Sequence, residues 1–162
     1  MSTKNVWGAN LSVIKHLTIL PALEAINLSG EAAVNLVTGT GLVESGFIHD
    51  RQINGTALGW FQMEPRTHDD IWRNFLRYRP DLANRVLAAS SLTGLPGAEN
   101  LVQNRAYSAC MCRVQYLRTP EPLPSATDAA ALSAYHNQHY NTALGQANAA
   151  ANTSLFQQAI NA

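Results

Sequence analysis

Gly41-Leu42-Val43-Glu44-Ser45-Gly46-Phe47 is the stretch on which the reading of the fold turns. It closes a helical pattern that opens at Glu31, where Ala33, Val34, Val37 and Thr38 recur at spacings of three and four, as on one face of a helix. Ser29 offers an N-cap in front of that pattern, and Gly46 offers a stop, because a glycine takes the left-handed conformation that ends helices. The spacing therefore predicts a helix running to Glu44 and Ser45, with a carboxyl held at its end.

Working outward, the same period dominates the chain and strand-type alternation is nearly absent. Leu11, Ile14, Leu17 and Leu20 recur at spacing three and predict an N-terminal helix over 10–27, which Pro21 kinks or restarts before Leu23 and Ile26. Residues 47–59 mix His49, Asp50, Asn54, Gly55 and Gly59 with few periodic apolar residues, which predicts a loop or a short irregular hairpin. Thr67-His68-Asp69-Asp70 has the pattern of a capping box, with Thr67 as the cap and Ile71, Trp72, Phe75 and Leu76 on the helix that follows. Pro80 ends that helix and opens another. After a turn at Gly94–Gly97, residues 101–117 read as one long buried helix. A loop with Pro120, Pro122 and Pro124 leads to a second capping box, Ser125-Ala126-Thr127-Asp128, and a helix through Leu132 and Tyr135. The expectation is a mainly α single domain over 1–140. An Ala/Asn/Gln-rich segment over 141–162, free of charged side chains, should pack on that domain or on a partner.

Composition narrows the function classes. At 162 residues the chain suits one domain, and 46% apolar with only 14% charged residues argues against disorder. Eleven basic and eleven acidic residues leave no net charge, so no bulk field gathers nucleic acid or an anionic membrane. No run reaches the ~18 apolar residues of a membrane span, and the Met1-Ser2-Thr3-Lys4-Asn5 start lacks a secretory pattern, so synthesis in the cytoplasm is expected. Cys110 and Cys112 stand two apart in a helical segment, point apart, and read as buried thiols that do not bridge. The nine arginines outnumber two lysines, and Arg66, Arg73, Arg77, Arg79 and Arg85 crowd the central helices. A solvated face or a contact to another protein explains them, with substrate carboxylates as the alternative. His68, His136 and His139 read as structural or cleft histidines, since they do not make up a zinc set of recognisable spacing. No cofactor is expected.

Three stretches combine into a sharper signal. They are 41–47, then Ala57-Leu58-Gly59-Trp60-Phe61-Gln62-Met63-Glu64-Pro65-Arg66-Thr67, then Ala131-Leu132-Ser133-Ala134-Tyr135-His136-Asn137. In this order the chain resembles the lysozyme-like lytic transglycosylases, relatives of goose-type lysozyme, and the run from Gln62 to Trp72 is similar to bacteriophage-encoded members of that group. The resemblance implies a lysozyme-like fold and an enzyme that cuts the β-1,4 glycosidic bond of peptidoglycan with Glu44 as single general acid and base. It further implies that Ser45 sits beside the reacting sugar, that Gln62 faces the cleft, and that the Tyr135 hydroxyl reaches toward Glu44. Gly59 suits a close approach of backbone to sugar, a turn glycine being the plain alternative. Where the family places Asn after that tyrosine, this chain has His136 and then Asn137, so sugar contacts on that side fall to one or the other.

The residues agree with that chemistry. An acid for a leaving oxygen works best in partly buried apolar surroundings, and Leu42, Val43, Phe47, Trp60 and Phe61 flank Glu44 in sequence or across the loop. Asp50 and Glu64 are the candidates for a second carboxylate, against loop solvation for Asp50 and a salt bridge to Arg66 for Glu64. The expected partner is bacterial peptidoglycan, with other virion proteins or further copies of the chain as additional partners. The competing expectation is a phage tail or capsid protein that keeps the fold with weak or absent catalysis.

Overall fold

The computed structural model describes residues 10–140 and 148–162. Of these, 64% are helical, as the dominant period predicts. The first helix, α1, starts at residue 10, widens into a π-helical turn over Lys15–Ile19 and continues as Leu20–Ala25. Pro21 accounts for the widening, because it has no N–H to give to the carbonyl four residues back. The extra residue in that turn rotates the apolar face. Leu11, Ile19, Leu23 and Ile26 enter the core, whereas Leu17, expected on the same face, is 71% exposed. Lys15 is carried inward instead, and its Nζ donates to Ala159 O at 2.7 Å and Ile160 O at 3.3 Å.

The central helix, α2, spans Glu31–Glu44, and every residue from Ala33 to Gly41 is buried. A helix buried all round is one that others wrap. Its N-cap is Gly30, not Ser29, and the cap makes no side-chain bond. Thr38 and Thr40 satisfy their buried hydroxyls within the helix, donating to Val34 O and Leu36 O at 2.7 Å each. Gly46, at φ +61°, ends α2 as expected, its N–H reaching Gly41 O at 2.9 Å.

Other expectations about helix ends are also corrected. The helix after the loop, α3 (Pro65–Asn74), starts two residues before Thr67. Pro65 sits in its first turn, where a missing N–H costs nothing. Asp70, freed from a capping role, binds Arg118 Nη1 at 2.7 Å. A 3-10 turn, Leu76–Tyr78, leads to α4 (Pro80–Ala89). The long helix expected over 101–117 is two, α5 (Asn100–Gln103) and α6 (Arg105–Leu117), because Asn104 interrupts them and caps the second by accepting from Tyr107 N–H at 3.0 Å. Helix α7 (Ala129–His139) is capped by Asp128 rather than Ser125, its Oδ1 accepting from Ala131 N–H at 3.0 Å. The last helix, α8 (Ala149–Asn161), is capped by Asn148.

The core gathers around α2. Helix α8 lies against α2 and α7, burying Phe156, and Ser133 Oγ donates to Ala149 O at 2.6 Å. Helix α6 contributes Tyr107, Met111, Val114 and Tyr116, together with Cys110 and Cys112, which are buried and free. Within 47–59 the only ladder elements among the described residues are single bridges, Arg51 to Leu58 and Leu58 to Met63. Part of the uncharged segment, 141–147, lies outside the described residues.

Candidate active site

Glu44 is the last residue of α2, and the fold places its carboxyl where three elements meet. Its side chain is 15% exposed, and Oε1 lies 3.1 Å from Nε2 of His136, a fully buried residue on α7. Beneath the pair, Cys112 and Tyr116 of α6 and Tyr140 at the end of α7 form a floor of neutral groups. Burial pushes the Tyr116 and Tyr140 hydroxyls well above the ordinary tyrosine range and raises the Cys112 thiol, and the charge of Glu44 adds to all three shifts. The floor is also tied down. Thr40 spends its one proton on Leu36 O, so the Tyr116 hydroxyl donates to Thr40 Oγ1 at 2.7 Å. Tyr140 donates to Phe61 O at 2.7 Å, joining α7 to the loop that carries Gln62.

That loop forms the other wall. Gln62 adopts φ +48°, and its Nε2 donates to Gly59 O at 2.9 Å, which fixes the amide in one orientation. Glu44 and Gln62 both line a small cleft of about 160 Å³ with His49, Arg51, Gln52, Ile53 and Ala57. Glu44 is the only acidic residue among them. The structure thus brings Glu44 and Gln62 together at one cleft.

None of the other expected site residues lines that cleft. Ser45 is buried and its hydroxyl is consumed by the fold, donating to Trp60 O at 2.5 Å and accepting from Phe47 N–H at 3.0 Å. Gly59 makes its close approach to protein rather than to an open cleft, since a Cβ there would lie 2.3 Å from Leu101 O. The Tyr135 hydroxyl donates to Glu121 O at 2.9 Å and does not reach toward Glu44. His136, expected as a sugar contact, is fully buried on Glu44. Asn137 follows on α7, half-buried.

Neither candidate for a second carboxylate lines the cleft. Glu64 is held by the Thr56 hydroxyl rather than by Arg66, and exposed Asp50 contributes its backbone carbonyl, which accepts from Gly59 N–H at 2.6 Å. His49, Arg51, Gln52 and Ile53 were not legible as cleft residues. Their only signal is position, in the irregular stretch between the first two motifs. Arg51 is paired with Glu99, and Gln52 Oε1 accepts from Ala57 N–H at 3.1 Å, so the loop wall is held from two sides.

Compared with known proteins, the chain matches no family model, no curated protein and no solved structure.

Proposed function

We propose that this chain cleaves the β-1,4 bond between N-acetylmuramic acid and N-acetylglucosamine in bacterial peptidoglycan, with Glu44 as its single general acid and base. The observation that carries the reading is the Glu44 carboxyl, mostly buried at a helix end, in a cleft shared with an oriented glutamine and with no second acid in its lining. A lone carboxyl suits a reaction in which the substrate supplies the second group. Glu44 protonates the glycosidic oxygen as the bond breaks. The substrate's N-acetyl oxygen or C6 hydroxyl then meets the anomeric carbon, and the carboxylate takes up the proton that the C6 hydroxyl, or a water, releases. Gln62 suits an N-acetyl group, because an amide both donates and accepts. The motif resemblance to phage-encoded lytic transglycosylases supports the same substrate and a virion or lysis setting.

The test is digestion of purified peptidoglycan by the intact chain beside Glu44→Gln, with released muropeptides identified by mass. Substitution keeps the shape and removes the proton, so cleavage should fall about a hundredfold or more. Equal release by both proteins would overturn the reading. Anhydro or reducing ends among the products would name the chemistry.

A second reading, a phage assembly module with little catalysis, is favoured by the size of the cleft, which at about 160 Å³ is below the roughly 300 Å³ at which ligand pockets usually begin. A groove of about 530 Å³ lies elsewhere, between α3 and α4, lined by Trp72, Leu76, Pro80 and Leu95 with Arg73 and Arg77. Silence of the intact chain on peptidoglycan, with its presence in purified particles, would establish that reading.

A further inference from the structure

The hydrogen-bonding pattern of His136 fixes where its proton resides beside Glu44. Its ring is fully buried and held on two sides, stacked at 24° on Tyr140 and packed against Phe156 with centroids 5.8 and 5.7 Å apart. Nε2 faces Glu44 Oε1 at 3.1 Å, while Nδ1 is buried with no hydrogen-bond partner among the described residues. The two nitrogens are therefore not equivalent. A proton on Nδ1 would be a buried donor with nowhere to go, and orphaned buried N–H groups are rarer in folded proteins than under-satisfied acceptors. The proton consequently belongs on Nε2, where it has Glu44 Oε1 as acceptor.

We propose that His136 is the positioning residue for Glu44: as the neutral Nε2–H tautomer it binds Oε1, so that the acid proton of Glu44 can reside only on Oε2, the oxygen left for the cleft. This rests on the reading of Glu44 as acid and base, and it explains how one residue serves both halves of that reaction. In the acid form, Oε1 is a carbonyl oxygen and accepts from Nε2–H while Oε2–H faces the substrate. Once Oε2 has given its proton to the leaving oxygen, Oε1 is half of a carboxylate and accepts the same bond. No proton passes to the histidine, and the carboxyl does not turn between steps. The reverse arrangement, Oε1–H donating to Nε2, would point the acid proton away from the cleft and strand Nδ1–H. The other titratable groups facing Glu44 are Cys112 and Tyr116 from α6, Tyr140 at the end of α7, and His49 and Arg51 across the cleft. Burial keeps the thiol and both hydroxyls protonated, and Arg51 is engaged by Glu99. His136 is the only one of these groups with a hydrogen bond to the Glu44 carboxyl.

The test joins a tautomer readout to a kinetic one. Nitrogen-15 NMR of the imidazole rings in the intact full chain at neutral pH should show His136 with a bare Nδ1 and a protonated Nε2. On peptidoglycan, His136→Phe keeps a ring against Tyr140 and Phe156 but removes the donor, so kcat should fall about tenfold or more with KM within about twofold. His136→Gln can place an amide N–H near the position of Nε2 and should restore most of kcat. A protonated Nδ1, or a His136→Phe chain that keeps its kcat, would overturn the proposal. The NMR arm does not depend on turnover. A bare Nδ1 in a chain that releases no muropeptide would therefore overturn the cleavage reading and leave the Glu44–His136 geometry standing.

Discussion

Phe156 of α8 rests directly on Gly39 of α2: a Cβ built at Gly39 would lie 2.2 Å from Phe156 Cδ1. The missing side chain makes the seat for the ring, and the same device recurs half a turn on, where a Cβ at Gly41 would lie 2.2 Å from Phe47 Cζ. The two glycines let α2 be wrapped closely by α8 on one side and by the loop after Glu44 on the other. Helix propensity argues against Gly in a helix interior, by about 1 kcal/mol relative to Ala, so close packing is the compensation here.

Gly39→Ala should therefore destabilise the fold despite its better helix propensity. Phe156 is fully buried and cannot swing aside, so overpacking should cost about 2 kcal/mol net, read as a lower urea midpoint with an unchanged slope. Phe156→Leu in the same chain should recover part of the loss. An alanine variant as stable as the parent would show that α8 does not pack as described.

Gly59→Ala should be worse, because two faults coincide. The position has φ +78°, and its Cβ would meet the backbone carbonyl of Leu101 at 2.3 Å, which no side-chain rotation relieves. A loss of at least about 2 kcal/mol is expected. Because Gly59 O also holds the Gln62 amide, the variant should lose cleavage beyond what its fraction folded explains. A melt and an assay on one preparation decide this.

What the sequence made legible at the site was local. Glu44 at a helix end followed from the α2 pattern and from Gly46, whose left-handed turn needs no distant partner. The role of His136 could not be read, because it rests on a contact across 92 positions in sequence and on which face of α7 turns inward. Tyr135, its neighbour on α7, was the candidate the motif offered, and one step along the helix changes direction by about 100°, enough to send its hydroxyl to Glu121 instead. In the fold, periodicity gave the helices but not their phase. A single π turn moved Leu17 from the core face to solvent. Thr67 and Ser125 were weaker markers than Pro65 and Asp128, because a proline fixes the first turn and a carboxylate one residue from the helix is the better cap.

Stability should fall on the alkaline side. Burial pushes the Cys110 thiol up to about 12 and also lifts Cys112, Tyr107, Tyr116 and Tyr140 above their ordinary values. In the unfolded chain the thiols ionise near pH 8.5 and the tyrosines near pH 10. Between those values and the raised ones, the unfolded state binds fewer protons than the folded state, so the free energy of unfolding decreases as pH rises. The contribution is fully present below about pH 8 and is lost progressively above about pH 9. Urea melts at stepped pH should show this decline, and a disulfide-exchange reagent at pH 8 should label neither cysteine until urea is added. Rapid labelling of the folded chain would contradict the burial of α6.

Ser45→Ala separates a structural hydroxyl from a substrate contact. In this structure Ser45 Oγ donates to Trp60 O and accepts from Phe47 N–H, stitching the end of α2 to the loop that carries Gln62. Alanine leaves both backbone groups unpaired in a buried place, at a cost of about 2 kcal/mol. The residue does not line the cleft, so the effect on cleavage should follow from the displaced loop. A kcat that recovers as the variant is stabilised by glycerol or low temperature, with KM little changed, is the expected result. A stable Ser45→Ala chain with a raised KM would instead put the hydroxyl on the sugar, and the Trp60 contact would have to open when substrate binds.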